Sequence, residues 1–288
     1  MLKFEAGDYN TMEPRPIDLN DYILTGGGFM GDSYNHKDNP ELMLKVYPLD
    51  WTRLADKEYD CAKKAFALGI PTPEPKDLVS VPDGRRGIVF QRIQGKKSFA
   101  RAVGDDSSRT EELAARFAAL CKALHTTRVN KEELPSAKEY FARLMSTHPF
   151  LTSAQKDKVL RFIADIPEAD TAIHGDLHFG NAILRGDENW FIDIGELGYG
   201  CPLIDLGTCM TVMEYTPDEK IRELYHMDRV TAVRFWKAFV RAYFGDGRSP
   251  EELEEKIKPY AALRSLFVVR VTGRLIPERQ ALIESLFV

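Results

Sequence analysis

The chain has 288 residues, 44% hydrophobic and 29% charged, with a formal net charge of −5. That is long enough for two lobes with substantial cores, and the acidic balance argues against a nucleic-acid surface. No apolar run reaches bilayer-spanning length, Met1–Glu5 lacks a signal-peptide core, and Cys61, Cys121, Cys201 and Cys209 show no Cys-x-x-Cys spacing, so a reduced, cytoplasmic protein with no membrane association is expected.

Tyr22-Ile23-Leu24-Thr25 reads as a short strand running into Gly26-Gly27-Gly28, with a second strand over Asp32–His36. Glycines between two strands let backbone amides approach phosphates, but the run is neither a Walker A loop nor a Gly-x-Gly-x-x-Gly, and a plain Gly-rich hairpin fits it too. Leu42–Tyr47 is an apolar strand with Lys45 inside it, and a lysine in a buried strand must find a charge partner. The helix expected over Trp51–Leu68 offers Asp56, Glu58 and Asp60, with Tyr59, Ala62 and Phe66 marking its apolar stripe. Glu58 is the expected partner; a solvated helix carboxylate is the plainer alternative. Gly69-Ile70-Pro71-Thr72-Pro73 stops that helix, and Lys76–Val79 with Gly87–Ile93 read as strands around Pro82-Asp83-Gly84.

Beyond Gln94 the pattern turns helical. Ser108-Arg109-Thr110-Glu111 reads as a capping box for a core helix to Thr126, with Leu113, Phe117, Leu120 and Leu124 on one face. A helix follows Pro135 with Tyr140, Leu144 and Met145 as its apolar side, and Thr152 with Gln155 caps a third that ends near Asp165.

Then comes Ile173-His174-Gly175-Asp176-Leu177-His178-Phe179-Gly180-Asn181, followed by Phe191-Ile192-Asp193-Ile194-Gly195. Gly175 and Gly180 favour irregular backbone, Ala182–Leu184 and Trp190–Ile192 read as strands, and the turn Gly186-Asp187-Glu188-Asn189 joins them. Folding that hairpin is expected to carry Asp193 back beside Asn181. A carboxylate, a carboxamide five positions on and a second carboxylate after a hairpin suit magnesium-dependent phosphoryl transfer: Asp176 takes the proton of an attacking hydroxyl, while Asn181 and Asp193 offer hard oxygen ligands. Two other readings compete. The three could be ordinary turn and strand-end residues. His174, Asp176 and His178 could form a zinc cluster, which leaves Asn181 and Asp193 unexplained.

HGDLHFGN followed by FIDIGE resembles the catalytic and metal loops of the aminoglycoside phosphotransferase and choline kinase family, within the protein-kinase-like fold. The resemblance implies a bilobal α+β architecture: an N-terminal nucleotide-binding lobe over residues 1–94, with an antiparallel sheet and one main helix, and a mostly helical lobe over residues 95–288 that carries the acceptor pocket. It implies that Lys45, paired with Glu58, holds nucleotide phosphates, that Gly27 and Gly28 lie at those phosphates, and that the backbone from Gln91 through Ile93 to Gly95 reads the base edge. Ile23 and Val89, which are equally ordinary core, would flank the base. The co-substrate would be ATP or GTP with Mg²⁺, bound between the lobes, and the acceptor a hydroxylated small molecule.

The Gly195–Pro202 segment is short and carries no Ala-Pro-Glu, which favours a small acceptor over a protein substrate. Pro202-Leu203-Ile204-Asp205-Leu206 resembles the family's Pro-x-x-Asp-Leu element, in which Asp205 would brace the catalytic-loop backbone. Helices are expected at about Asp218–Tyr225, Asp228–Phe244, Pro250–Thr272 and Pro277–Leu286. Trp236, Phe239, Tyr243 and Phe244 read as core. Glu196 near the metal loop, and Glu214, Asp218 and Glu219 as contacts for a cationic acceptor, compete with solvated acidic faces. His125, His148 and His226 have no companions that suggest ligation. A nucleotide-binding pseudokinase regulator and a protein kinase are the alternative functions; the oligomeric state is open.

Overall fold

The computed structural model describes residues 13–28, 31–245 and 247–287; Met1–Glu5 lies outside the described residues. The chain divides into two compact units, residues 1–96 with 183–196, and residues 97–182 with 197–288. Among the described residues no helix is long and apolar enough to cross a membrane.

The first unit is built on β1 (Arg15–Pro16), β2 (Tyr22–Gly28), β3 (Gly31–His36), β4 (Leu42–Val46), β5 (Pro75–Ser80) and β6 (Arg86–Gln91), in the spatial order β1-β5-β6-β4-β3-β2. Every pairing is antiparallel except that of β1, which adds to β5 as a parallel edge. Strand periodicity explains β4. Leu44 and Val46 lie on one face and pack with Tyr22, Val79, Val81 and Val89, while Lys45 points from the other face. That face meets α1 (Thr52–Ala67), which buries Ala55, Glu58, Tyr59, Ala62 and Ala65 at helical spacing. Phe66, expected on the buried stripe, is 47% exposed; the smaller Ala65 takes the position against the sheet. Leu68 and Gly69, with φ +73° at the glycine, close the helix, and Ile70 N–H donates back to Ala65 O. The hairpin of Ala182–Arg185 and Glu188–Phe191 forms as expected, turning at Gly186 with φ +55°.

The expected glycine turn is instead part of the ladder: Gly27 pairs with Asp32 and Gly28 with Gly31 inside the β2–β3 hairpin. The glycine that geometry demands is Gly31. Its φ is +133°, and a Cβ there would lie 2.1 Å from the Val46 carbonyl oxygen.

The second unit contains α2 (Phe99–Asp105), α3 (Thr110–Thr126), α4 (Ala137–Ser146), α5 (Ser153–Asp165), α6 (Leu203–Glu214), α7 (Asp218–Tyr225), α8 (Arg229–Phe244), α9 (Pro250–Thr272) and α10 (Pro277–Phe287). The Thr152–Gln155 capping box is present at α5. The one expected at Ser108 is not. Asp106 accepts from Ser108 N–H and caps a short 3₁₀ turn, Ser107–Arg109, from which α3 continues with no side-chain cap of its own. Aspartate two residues upstream offers a charged acceptor to the same backbone, and the Ser108 hydroxyl is itself spent on Asp106.

The α6–α9 packing decides what reaches the site. A Cβ on Gly207 would lie 2.5 Å from the Tyr260 carbonyl carbon and 2.8 Å from Ala261 N, so the helices approach backbone to backbone. Thr211 Oγ1 spans the same crossing, donating toward Gly207 O in its own helix and lying 3.1 Å from Ala261 O. Gly207→Ala is expected to destabilise the protein by about 1–3 kcal/mol through overpacking. A melting temperature equal to that of the unsubstituted protein would show that the crossing relaxes freely.

All four cysteines are buried and free. Burial pushes the Cys61 thiol up to about 12 and holds Cys121 and Cys209 well above the usual thiol range.

Candidate active site

Of the expected site residues, Lys45, Glu58 and Asp193 meet in the first unit and Asp176 and Asn181 in the second. In the first, Lys45 Nζ lies 2.8 Å from Glu58 Oε2 and 2.5 Å from Asp193 Oδ1. The three carboxylates of α1 are thereby sorted. Glu58 takes Lys45 and the Tyr47 hydroxyl, Asp56 is paired with Arg86, and Asp60 pairs with Lys64 along the helix. Burial works against the Lys45 ammonium, but Glu58 and then Asp193 outweigh it, and its pKa is raised. The amine therefore stays charged over the whole physiological range.

Asp193 sits at φ +56°, in the left-handed region that a non-glycine residue adopts at a cost. Its side chain is 44% exposed even with Lys45 against it. Gly195 follows under α1, where a Cβ would lie 3.2 Å from Glu58 Cβ, and its carbonyl accepts from the Cys61 thiol. Glu196 is claimed by Lys57 at 2.6 Å, which gives it a structural partner.

Gln91 ends β6 with its N–H donated to Glu74 O, and Arg92 N–H is given to Glu41 O. Ile93 is buried, and among the described residues its backbone carries no protein hydrogen bond. Val89 belongs to the sheet core opposite Leu44, whereas Ile23 is exposed.

In the second unit the loop of Asp176 and Asn181 is fixed at both ends and underneath. Ala172–Ile173 pairs with Gly198–Tyr199. The wholly buried Asp205, at the start of α6, accepts from His174 N–H at 2.7 Å and Gly175 N–H at 2.9 Å. Asp205 Oδ2 also lies 3.1 Å from His125 Nε2, and His125 Nδ1 lies 2.7 Å from the Tyr243 hydroxyl. Gly175 takes φ +81°, which lets the loop turn over this carboxylate. Leu177 and Phe179 are fully buried, the Phe179 ring packing 4.7 Å from Tyr225 and 5.6 Å from Phe235. His174 and His178 accept from Asp176 N–H and Gly180 N–H through Nδ1, so both rings serve the loop backbone. Among the described residues no group of three or more His, Cys, Asp or Glu side chains is placed to hold a metal ion, which leaves the zinc reading without its cluster.

Asn181 Nδ2 donates to the Asp176 carbonyl at 3.0 Å and to Asp176 Oδ2 at 3.3 Å. With its nitrogen spent there, the amide oxygen is the atom left for a ligand. The other Asp176 oxygen is held by Arg264 of α9, which also donates to Gly175 O at 3.1 Å. Burial raises the Asp176 pKa, but Arg264 leads a group of positive and hydrogen-bonding neighbours that bring it below the usual carboxylate range. The Arg264 side chain is only 13% exposed and lies over the Phe267 ring, 4.6 Å from its centroid. No reading of the sequence named Arg264. An arginine flanked by Leu263 and Leu266 in a buried helix carries the same signal that singled out Lys45, a charge that must be paired.

The acids suggested for an acceptor are spread differently. Asp218 is tied to Arg229, and Glu214 is half-buried with a raised pKa, burial outweighing Arg229 and Lys237.

The model of the phosphotransferase enzyme family matches residues 25–253. No curated protein matches the chain in sequence. Among solved structures, a thermostable mutant of aminoglycoside phosphotransferase APH(4)-Ia, in a ternary complex with AMP-PNP and hygromycin B, is 13% identical with a TM-score of 0.66, covering 92% of this chain and 94% of that one. Amicoumacin kinase hAmiN, in complex with AMP-PNP, Ca²⁺ and Ami, is 15% identical with a TM-score of 0.58, over 95% and 88% of the two chains. A choline/ethanolamine kinase family protein from Mesorhizobium loti is 16% identical with a TM-score of 0.54, over 98% and 87%. At such identities the likeness is one of fold, and the fold is protein-kinase-like.

Proposed function

The chain belongs to the phosphotransferase enzyme family, and from that premise we propose that it is a kinase that transfers the γ-phosphate of ATP (or GTP) to a hydroxyl of a small molecule. The observation that carries the reading is Lys45, its side chain only 12% exposed, its ammonium favoured by its neighbours and held between Glu58 and Asp193. A lysine fixed in this way is suited to the α- and β-phosphates of a nucleotide, and Glu58 keeps it from swinging away when they bind. Similar folds have been solved with AMP-PNP, which agrees with a nucleotide co-substrate.

Asp176 is the proposed base. It orients the acceptor hydroxyl by accepting its hydrogen bond and takes its proton as the new P–O bond forms. Asn181 keeps one of its oxygens in place. Asn181 and Asp193 are the proposed ligands of Mg²⁺. Both offer oxygen, as the ion prefers, and the Asn181 nitrogen is already committed. When bound, the ion would neutralise charge on the β- and γ-phosphates. Positioning and charge neutralisation supply most of the rate in such a site. Gly27, Gly28, Gln91 and Ile93 are proposed to lie along the nucleotide, with Ile93 offering the unspent backbone groups.

The test is acceptor-dependent conversion of ATP to ADP, with the phosphorylated product identified by mass spectrometry. Transfer is expected to need Mg²⁺, to vanish with excess EDTA and to return when Mg²⁺ is restored. Tight AMP-PNP binding without turnover on any hydroxylated acceptor would instead mark a nucleotide-binding regulator.

A further inference from the structure

Helix α1 does more for the loop beyond Asp193 than supply Glu58. The helix and residues 183–196 belong to the same compact unit. Glu58 reaches the loop through Lys45, which it shares with Asp193. Lys57 Nζ lies 2.6 Å from Glu196 Oε1. Cys61, one turn further along and so on the same face as Lys57, donates its thiol to Gly195 O at 3.6 Å. A Cβ on Gly195 would lie 3.2 Å from Glu58 Cβ, so the loop runs directly against the helix.

This fastening answers a definite cost. Asp193 holds φ +56°, and a non-glycine residue keeps a left-handed backbone only where its surroundings over-determine it. Ile194 is buried and gives some of that restraint. Gly195 follows with no side chain to resist rotation, so the loop needs a hold beyond it. The Cys61 thiol is a weak donor, whereas Lys57 and Glu196 form a charge-assisted bond. Their side chains are only 17% and 31% exposed, which screens the pair less than an ordinary surface one. The ion pair is therefore the stronger of the two holds.

Resting on the phosphotransferase reading, we propose that Lys57 and Glu196 are positioning residues, whose ion pair locks the strained Asp193 backbone and keeps its carboxylate at the Lys45 ammonium, set to receive a nucleotide with Mg²⁺. Glu196 is then no ligand. Its carboxylate is spent on Lys57, and what it supplies is the backbone conformation just upstream. With one partner removed, the loop is free to turn about Gly195, Asp193 relaxes toward an ordinary backbone, and its carboxylate leaves Lys45 for solvent. Lys45 and Glu58 stay in place for the phosphates, so nucleotide binding without the ion suffers little, while binding with it loses an oxygen ligand.

The single variants Glu196→Gln and Lys57→Gln and the exchanged double variant Lys57→Glu/Glu196→Lys test this. Each is titrated calorimetrically with AMP-PNP, once in Mg²⁺ and once in EDTA. Amide hydrogen exchange is followed at residues 192–197 and, for reference, at residues 173–181. With Mg²⁺ each single variant is expected to bind AMP-PNP about 3–30-fold more weakly, the range of one partly exposed charged hydrogen bond. Exchange should quicken at residues 192–197 and not at the reference segment. In EDTA the loss of affinity should stay within about twofold. The exchanged pair should recover most of the affinity and the protection. Unchanged affinity in Mg²⁺, an equal loss in EDTA, or faster exchange at both segments, which marks general destabilisation, would each overturn the proposal. So would a double variant as weak as the singles, since it would make Glu196 a direct contact of the nucleotide complex. If the unsubstituted protein binds no AMP-PNP in either condition, the phosphotransferase reading falls. Exchange at residues 192–197 then judges the pair by itself, faster exchange upholding its hold on the loop and unchanged exchange removing it.

Discussion

Asp176→Asn is expected to lower the rate of phosphoryl transfer by about 10²–10⁴-fold, the usual contribution of a positioned general base. The substitution keeps the size of the side chain and its ability to meet Asn181, so the loop should survive. On the proposed mechanism it removes the negative charge that attracts the acceptor proton. Burial raises the Asp176 pKa, but Arg264 and its neighbours bring it below the usual carboxylate range, so the proposed base is ionised at neutral pH, and the acid limb of the rate profile should fall below that range. The variant also strips Arg264, only 13% exposed, of its carboxylate. A lower melting temperature is therefore expected alongside the lost rate, and AMP-PNP titration distinguishes the two effects. If transfer persists within a few-fold while nucleotide still binds, Asp176 is not the base.

Asp205→Ala should be among the most damaging substitutions for stability. The side chain is fully buried and answers two backbone N–H groups, with His125 at its second flank. Alanine leaves those donors facing a space too small for good hydration, and breaking buried charged networks of this kind costs about 3–5 kcal/mol. At about 2–4 °C per kcal/mol, a fall of roughly 10 °C in melting temperature follows. Asp205→Asn, which keeps one acceptor oxygen, should fall between. If the alanine variant melts within about 2 °C of the original, something else holds the His174–Gly175 backbone.

Local signals made much of this fold readable. Helices α7 and α9 lie at the residues expected, and the strand period of β4 told that Lys45 needed a carboxylate. Glu58 is that carboxylate because its rivals on α1 are answered elsewhere, Asp56 by a strand arginine and Asp60 by its own helix. Legibility failed where the deciding partner is distant or merely upstream. Strand β1 is two residues long and exists through its pairing with β5. The start of α3 is set by Asp106, whose stronger acceptor displaces Ser108. The demand for glycine at Gly31 comes from the Val46 carbonyl of a neighbouring strand. Arg264 lies 88 positions from Asp176 and reaches it through the α6–α9 crossing, which rests on the missing side chain of Gly207.

The burial of all four thiols has a use outside catalysis. At Cys61, Cys121 and Cys209 an alkylating reagent in neutral solution meets almost no thiolate on the native chain, since these three are shielded and hard to ionise. Two of them anchor the loops of the candidate site, Cys61 on the Gly195 carbonyl and Cys209 on the Leu177 carbonyl at 3.2 Å. Labelling at Cys61 and Cys209, resolved by peptide mapping, would therefore act as a pair of clocks, one timing the release of each loop.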